Sequence, residues 1–308
     1  ASQSGSDTLA RVAFGLVALV WGLMVFGASV RVHGAGLACP DWPLCFGRVV
    51  PEIDFGVFFE FGHRVVAGCV SLVYLGIGAA IFRQGRSSAV KGVWALGLFV
   101  LGVQVVLGGL TVLELLAEWT VTSHLLAGNT FCLTVLVLAL SLRAERVPSI
   151  MPAAVGRGHR ALGALVALAL LAQLALGGLV SSSHAGLVCP SWPTCAGSVW
   201  FPTFAGLVGL QLAHRLLAYT LGGLVIGLFA ASASNATLRA PAGLMVGLVL
   251  LQVALGVGNV LLRLPVEVTL AHTGVAAFLV LATTWFNWRA LRAPLALAEP
   301  AADLVEAR

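Results

Sequence analysis

Eight long apolar segments recur along the chain, and they constrain its fold more than any other feature. Each is close to the roughly 20 residues that a helix needs to cross a bilayer. Charged residues make up only 9% of the chain, too few for a soluble fold to cover this much apolar surface. We therefore predict an all-α integral membrane protein, because strands of a membrane barrel would show short alternating patterns instead. The helices are expected at about residues 10–30, 59–82, 92–113, 120–142, 161–181, 207–231, 241–262 and 268–289.

The distribution of cationic residues predicts the orientation of these helices. With the N-terminus in the cytoplasm, few of the 17 Lys and Arg residues lie at or beyond the outer helix ends, namely Arg31, Arg48, Arg64, Arg215 and Arg263. By the positive-inside rule, both termini are expected in the cytoplasm. The net charge of +5 thus reflects topology and indicates no nucleic-acid partner.

The two halves of the chain resemble each other. VRVHGAGLACPDWPLCFG, from Val30 to Gly47, recurs as VSSSHAGLVCPSWPTCAG, from Val180 to Gly197. Three shorter matches follow in the same order, EFGHR at 60–64 with QLAHR at 211–215, VQVVLGG at 103–109 with LQVALGV at 251–257, and TSHLLAG at 122–128 with LAHTGVA at 270–276. This repeat predicts two tandem, pseudo-symmetric four-helix bundles related by an axis along the membrane normal.

The repeat also defines the domain boundaries. Residues 1–142 form the N-terminal half, and residues 161–292 form the C-terminal half. Residues 143–160 contain two prolines and four arginines and are predicted to be a cytoplasmic linker, with 293–308 as a cytoplasmic tail. The apolar helix surfaces are expected to contact membrane lipid, or further copies of the chain in a homo-oligomer.

Four histidines occupy matched positions in the two halves, His63 with His214 and His124 with His272. All lie near the outer ends of even-numbered helices, where an unpartnered imidazole is costly. Two facing imidazoles in a helical bundle can ligate haem iron, so we predict one haem-binding pair in each half. Zinc or copper is the alternative, although no carboxylate or thiol is repeated with the histidines to complete a tetrahedral site.

Arg64 and Arg215 each follow one of these histidines. Each arginine either extends toward water at the interface or contacts a haem propionate. The remaining histidines, His33, His184 and His159, fall in the outer loops and the linker, where they are expected to face solvent.

Two cysteine pairs stand in equivalent outer loops, where Cys39 and Cys45 enclose PDWPL and Cys189 and Cys195 enclose PSWPT. Disulfides persist outside the cytoplasm, so we expect the bonds Cys39–Cys45 and Cys189–Cys195. Bracing of a short loop is the expected role, with a redox role as the alternative.

The halves differ three residues before the first histidine of each, where Glu60 corresponds to Gln211. On a helix this spacing places Glu60 on the same face as His63. A carboxylate at the membrane edge can accept or donate a proton near neutrality, which glutamine cannot do. We therefore predict a reacting group in the N-terminal half and a resident cofactor in the C-terminal half. The alternative is a carboxylate paired with a nearby arginine.

The eight spans, the duplicated half, the VRVHGAGLACPDWPLCFG loop, EFGHR and the four helix-end histidines together resemble the haem A synthase family over nearly the whole chain. The resemblance implies an oxidoreductase that converts the C8 methyl of haem O into the formyl group of haem A through a hydroxymethyl intermediate. It implies that His63 and His124 bracket the substrate haem O. It also implies that His214 and His272 ligate a haem b cofactor, and that Glu60 is the catalytic carboxylate.

The resemblance also has implications for the cellular location and the partners of the protein. The paired cysteines are similar to those of a bacterial subgroup, which implies a bacterial inner membrane, with haem O synthase and cytochrome oxidase assembly factors as partners. One departure is His33, where the family pattern has Thr or Ser.

Three other functions are considered. A di-haem b-type electron-transfer cytochrome would place its haems at different depths, whereas all four histidines here lie near the outer face. A quinone-linked disulfide oxidoreductase would use the loop cysteines and would not need the histidines. A transporter would show matched Gly or Pro interruptions near the midplane, and the two halves show none.

Overall fold

The computed structural model describes residues 2–145 and 153–296, with side chains described from residue 8 onward. Its eight α-helices are α1 Ser2–Val32, α2 Phe55–Arg83, α3 Ser88–Leu113, α4 Glu118–Ala144, α5 Arg157–Ser182, α6 Gly206–Ser232, α7 Arg239–Leu261 and α8 Val266–Arg292. All eight are long and apolar enough to cross a membrane. Over the described ranges there are isolated bridges but no β-strand, so the prediction of an all-α, multi-pass membrane protein is confirmed.

Each helix begins before the apolar segment that predicted it. α2 begins at Phe55 because the side chain of Asp54 caps it, accepting a hydrogen bond of 2.8 Å from the backbone N–H of Val57. Ser87 caps α3 in the same way through the N–H of Val90. Hydropathy marks only the part of a helix that suits hydrocarbon, whereas in α2 and α3 a polar cap defines where the helix starts.

Two hydrophobic cores lie inside the protein. The first is built from α1 to α4 and also includes Leu281 of α8, and the second is built mainly from α5 to α8. The halves touch where α1 and α4 contact α8 and where α4 contacts α5. α4 is the most buried of the eight spans, with 61% of its central window inside the protein. Each core thus belongs mainly to one half, and the arrangement as two tandem four-helix bundles stays a prediction.

The loops α1–α2 and α5–α6 each contain one of the expected disulfides. The bonds Cys39–Cys45 and Cys189–Cys195 are both present, and all four cysteines are buried, which confirms the prediction. Each loop also has a cis peptide bond between Trp and Pro, at Trp42–Pro43 and Trp192–Pro193. The repeat therefore extends to the backbone conformation of these disulfide loops.

The tight turns α3–α4 and α7–α8 pack onto the disulfide loops. Leu116 and its repeat equivalent Leu264 have φ values of 63° and 61°, in the left-handed region. A Cβ atom added to Gly36 would lie 3.3 Å from the Leu116 side chain. A Cβ atom added to Gly186 would lie 3.2 Å from the Leu264 side chain. Glycine at these two positions leaves room for the leucines. The α3–α4 turn therefore packs against the α1–α2 loop, and the α7–α8 turn packs against the α5–α6 loop.

The predicted linker is shorter than expected, because α4 continues to Ala144 and α5 begins at Arg157. Residues 146–152, including Arg146, lie outside the described residues, as do 297–308 of the predicted tail. In the first turn of α5, Arg160 donates hydrogen bonds to the carbonyls of Ala290 (3.1 Å) and Ala293 (2.8 Å). This arginine therefore fixes the start of α5 against the end of α8.

Candidate functional site

The four repeat-related histidines lie near the N-terminal ends of α2, α4, α6 and α8, and all four are partly buried. Within each half the two rings are close enough to affect each other electrostatically, His63 with His124 and His214 with His272. That each pair ligates a haem stays a prediction.

Several imidazole nitrogens of this set have unmet hydrogen-bonding capacity. Nδ1 of His63, His124 and His272 is buried without a hydrogen-bond partner. A buried polar atom in that condition costs free energy unless a ligand pairs with the ring. Across the described ranges, no group of three or more His, Cys, Asp or Glu residues could hold a metal ion. Paired histidines without further donors fit haem iron, because the porphyrin supplies the equatorial ligands, and they do not fit a tetrahedral zinc site.

A glutamine of the preceding helix contacts one histidine in each half. Gln104 Nε2 donates to His124 Nε2 at 3.3 Å, and Gln173 Nε2 donates to His214 Nδ1 at 3.1 Å. Gln252 stands at the equivalent position in α7. These glutamines therefore line the candidate site and restrain the two rings that they contact.

Sequence analysis missed these glutamines, although a signal was present. The pattern Gln-x-x-Leu-Gly occurs at 104–108, 173–177 and 252–256, once in each of α3, α5 and α7. The equivalent position in α1 is Leu23, four residues before Gly27. His63 therefore faces a helix that offers a leucine where the other three histidines have a glutamine.

Glu60 is buried, with 5% of its surface exposed, on the same helix as His63. Its carboxylate accepts hydrogen bonds from the backbone N–H of Cys39 at 2.8 Å and from the guanidinium group of Arg64. The ion pair with an arginine, considered from the sequence as an alternative, is thus present. The equivalent Gln211 donates a hydrogen bond to its loop, whereas Glu60 accepts one: Gln211 Nε2 donates to the carbonyl of Gly186 at 3.2 Å.

Arg64 and Arg215 bind the backbone carbonyls of the disulfide loops. Each uses both terminal nitrogens, and the acceptors are repeat equivalents, namely Cys39, Asp41 and Leu44 for Arg64 and Cys189, Ser191 and Thr194 for Arg215. Sequence reasoning missed this role, because nothing in the spacing pairs an arginine with carbonyls 20 or more residues away. Contact with a haem propionate stays a prediction for both.

We expect Arg215→Ala to loosen the second disulfide loop, because three charge-assisted hydrogen bonds to Cys189, Ser191 and Thr194 are lost. The expected loss is about 2 kcal/mol of folding free energy, seen as a lower midpoint of thermal unfolding. Arg48→Ala is the matched control, because it removes only an exposed ion pair with Glu52. Equal midpoints for the two variants would show that the carbonyl contacts do not stabilise the loop.

Asp41 stabilises the first disulfide loop from within. The backbone N–H groups of Gly47 (2.8 Å) and Phe46 (2.7 Å) donate to its carboxylate and lower the pKa of Asp41 below its usual value. A lowered pKa contributes stability above the pKa of the unfolded chain, and that contribution disappears as the pH falls through the folded value. This contribution of Asp41 to the stability of the loop is therefore present at neutral pH and lost in acid.

His33 is partly buried rather than simply facing solvent, so that expectation was wrong. Its ring stacks on Phe59, with the ring centroids 4.4 Å apart, and its Nδ1 lies 2.8 Å from the carbonyl oxygen of Ser29. Phe59 precedes Glu60, so the unexpected imidazole lies on the substrate side of the predicted site. His184 is exposed, as expected.

Comparison with known proteins relates most of the chain to one family. The family described as cytochrome oxidase assembly protein matches residues 10–56 and 52–284. The chain is 32% identical to a protein named heme A synthase from Shewanella oneidensis, over 88% of this chain and 94% of that protein. It is 30% identical to a heme A synthase from Methylobacterium radiotolerans, over 93% of this chain and 90% of that protein. For a heme A synthase from Methylobacterium sp. (strain 4-46) the identity is 31%, over 87% and 88%.

Proposed function

Because this chain belongs to the haem A synthase family, we propose that it oxidises the C8 methyl group of haem O to the formyl group of haem A, through a hydroxymethyl intermediate. In this proposal His63 and His124 bind the substrate haem in the N-terminal half. His214 and His272 ligate a haem b cofactor in the C-terminal half. Glu60 is the catalytic carboxylate.

One observation carries this division of roles, the exchange of Glu60 for Gln211 at equivalent buried positions. Oxidation of a methyl group requires that protons as well as electrons leave the carbon. Glu60 can accept a proton beside the first histidine pair, whereas Gln211 cannot do so beside the second. Haem b, when bound, supplies one-electron redox chemistry.

The residues around Glu60 support its role by fixing its position. The N–H of Cys39 and the guanidinium of Arg64 hold the two carboxylate oxygens, one each. Arg64 in turn is bonded to the disulfide loop through Asp41 and Leu44. A carboxylate held from two sides keeps one orientation toward the histidine face of α2, as general base catalysis requires. The disulfide loop therefore acts in this proposal as a rigid support for the reacting group.

The proposal extends to the setting of the reaction. Both termini lie in the cytoplasm of a bacterium, and the disulfide loops lie on the outer side of its inner membrane, where disulfides persist. Haem O carries a farnesyl tail, so the substrate enters laterally from lipid. Haem O synthase and cytochrome oxidase assembly factors are the proposed partners that supply the substrate and receive the product.

Analysis of the haems in the purified protein tests this function. We expect absorption spectroscopy and mass analysis to detect haem b together with haem O, its hydroxylated form or haem A. Haem b alone in both halves would instead indicate a di-haem electron-transfer cytochrome. A protein without any haem would contradict the assignment of the four histidines.

A further inference from the structure

Each of the four histidines packs against a glycine of the preceding helix. These histidine-facing glycines are Gly27 beside His63, Gly108 beside His124, Gly177 beside His214 and Gly256 beside His272. A Cβ atom built on them would lie 2.9, 3.0, 3.1 and 3.2 Å, respectively, from Cε1 of the imidazole ring. All four contacts involve the same ring atom, although they occur in four different helix pairs.

Other helix glycines also have close neighbours, such as Gly78 beside Trp94 and Gly97 beside Tyr74, but within the described helices only the four histidine-facing glycines meet a histidine ring. Gly22 in α1, Gly102 in α3 and Gly247 in α7 have no atom within 4 Å of an added Cβ. The histidine-facing glycines are also repeat equivalents, because Gly27 corresponds to Gly177 and Gly108 corresponds to Gly256. Duplication has thus reproduced the same contact in each half.

We propose that the four histidine-facing glycines are positioning residues, which set the orientation of the imidazole rings that ligate haem. This inference rests on the proposed function of the histidines. Cε1 lies between the two ring nitrogens, so a displacement of Cε1 also moves the nitrogen that would bind iron. The absence of a side chain at glycine is what allows the ring to stand where it does.

The size of the effect follows from contact distances. Carbon atoms pack at about 3.5–4.0 Å, so a methyl group at these positions would push the ring by roughly 0.5 Å. Axial ligands must be held to within about 0.5 Å for productive geometry. An imidazole is the mobile end of a side chain and can rotate away, so the fold should survive while the iron–histidine bond is weakened.

The glutamines strengthen this reading. In two of the pairs the glutamine four residues earlier contacts the same ring, Gln104 with His124 and Gln173 with His214. Leu23 offers no hydrogen bond to His63, which instead meets Phe26 and Gly27 of α1.

Alanine substitution in the full-length protein tests the proposal. We expect Gly177→Ala and Gly256→Ala to retain haem b about 10-fold more weakly than the unmodified protein. We also expect a changed low-spin ferric signal in electron paramagnetic resonance. Gly247→Ala, on the same helix as Gly256 but with an open Cβ position, should match the unmodified protein in both measurements. Size-exclusion chromatography identifies any variant that does not fold, and Gly27→Ala and Gly108→Ala provide independent tests through haem O titration.

His272→Ala separates this inference from the proposed function. If His272→Ala loses haem b while folded Gly177→Ala and Gly256→Ala keep normal haem content and an unchanged signal, the glycines are not positioning residues, although the histidine assignment stands. If His272→Ala retains haem b with the same signal, the ligand assignment fails and the inference fails with it. Weakened haem b in the glycine variants and a normal Gly247→Ala variant would support both.

Discussion

Replacing Glu60 with glutamine is expected to lower the rate of haem O oxidation by about 100-fold or more, while both haems remain bound. Glutamine has nearly the same shape but cannot take up the proton released from the substrate. The residue should fit without disturbing the fold, because Gln211 occupies the equivalent buried position and the amide oxygen can still accept from the N–H of Cys39, although the ion pair with Arg64 is lost. Mass analysis of extracted haems, followed over time after addition of haem O, measures the conversion.

Glu52→Gln is the matched control for this experiment. Glu52 is an exposed carboxylate in the same outer region, paired only with the exposed Arg48 in an interaction of little energetic weight. We expect this variant to convert haem O at the normal rate. Normal turnover in Glu60→Gln would remove Glu60 from the mechanism and leave its ion pair with Arg64 as a structural contact.

The double substitution His214→Ala, His272→Ala is expected to eliminate haem b from the purified protein. Among the described residues no further His, Cys, Asp or Glu joins these two rings in a group that could hold a metal ion, so none of these side chains can replace them as ligands. The corresponding double substitution of His63 and His124 should retain haem b and lose haem O and its oxidation products. Quantification of each extracted haem per protein molecule distinguishes the two variants.

His184→Ala serves as the control, because His184 is exposed in the outer loop and its repeat equivalent, Gly34, is not a histidine. Its haem content should be normal. Loss of haem b from the His63 and His124 variant, with retention in the His214 and His272 variant, would reverse the assignment of the halves. Retention of haem b in both would exclude the paired histidines as its ligands.

The eight helices and both disulfides were predicted from the sequence and are confirmed, whereas the pairing of the histidines as haem ligands stays a prediction. Each of these depends on a strong local or repeated signal. Apolar length defines a span, and duplication shows which of the seven histidines belong together. Enclosure of a few residues between two cysteines outside the cytoplasm favours their bonding to each other. These predictions needed no knowledge of how the helices pack.

The contacts made by Arg64, Gln104 and Gly108 could not be predicted in the same way. Hydropathy does not distinguish a helix face that meets lipid from one that meets another helix, because both surroundings are apolar. Whether an arginine binds a propionate or a loop carbonyl depends on loop conformation, which sequence spacing does not define. The Gln-x-x-Leu-Gly pattern was visible, but its meaning depends on which ring lies across the helix interface.

The placement of all four histidines at the same end of the even-numbered helices has a consequence for energetics. Moving one elementary charge across a membrane potential of about 100 mV involves about 2.3 kcal/mol. If the proposed haems are bound by these histidines, an electron passing between them travels nearly parallel to the membrane plane and crosses almost none of that potential. Electron transfer between the two halves is then neither driven nor opposed by the membrane potential.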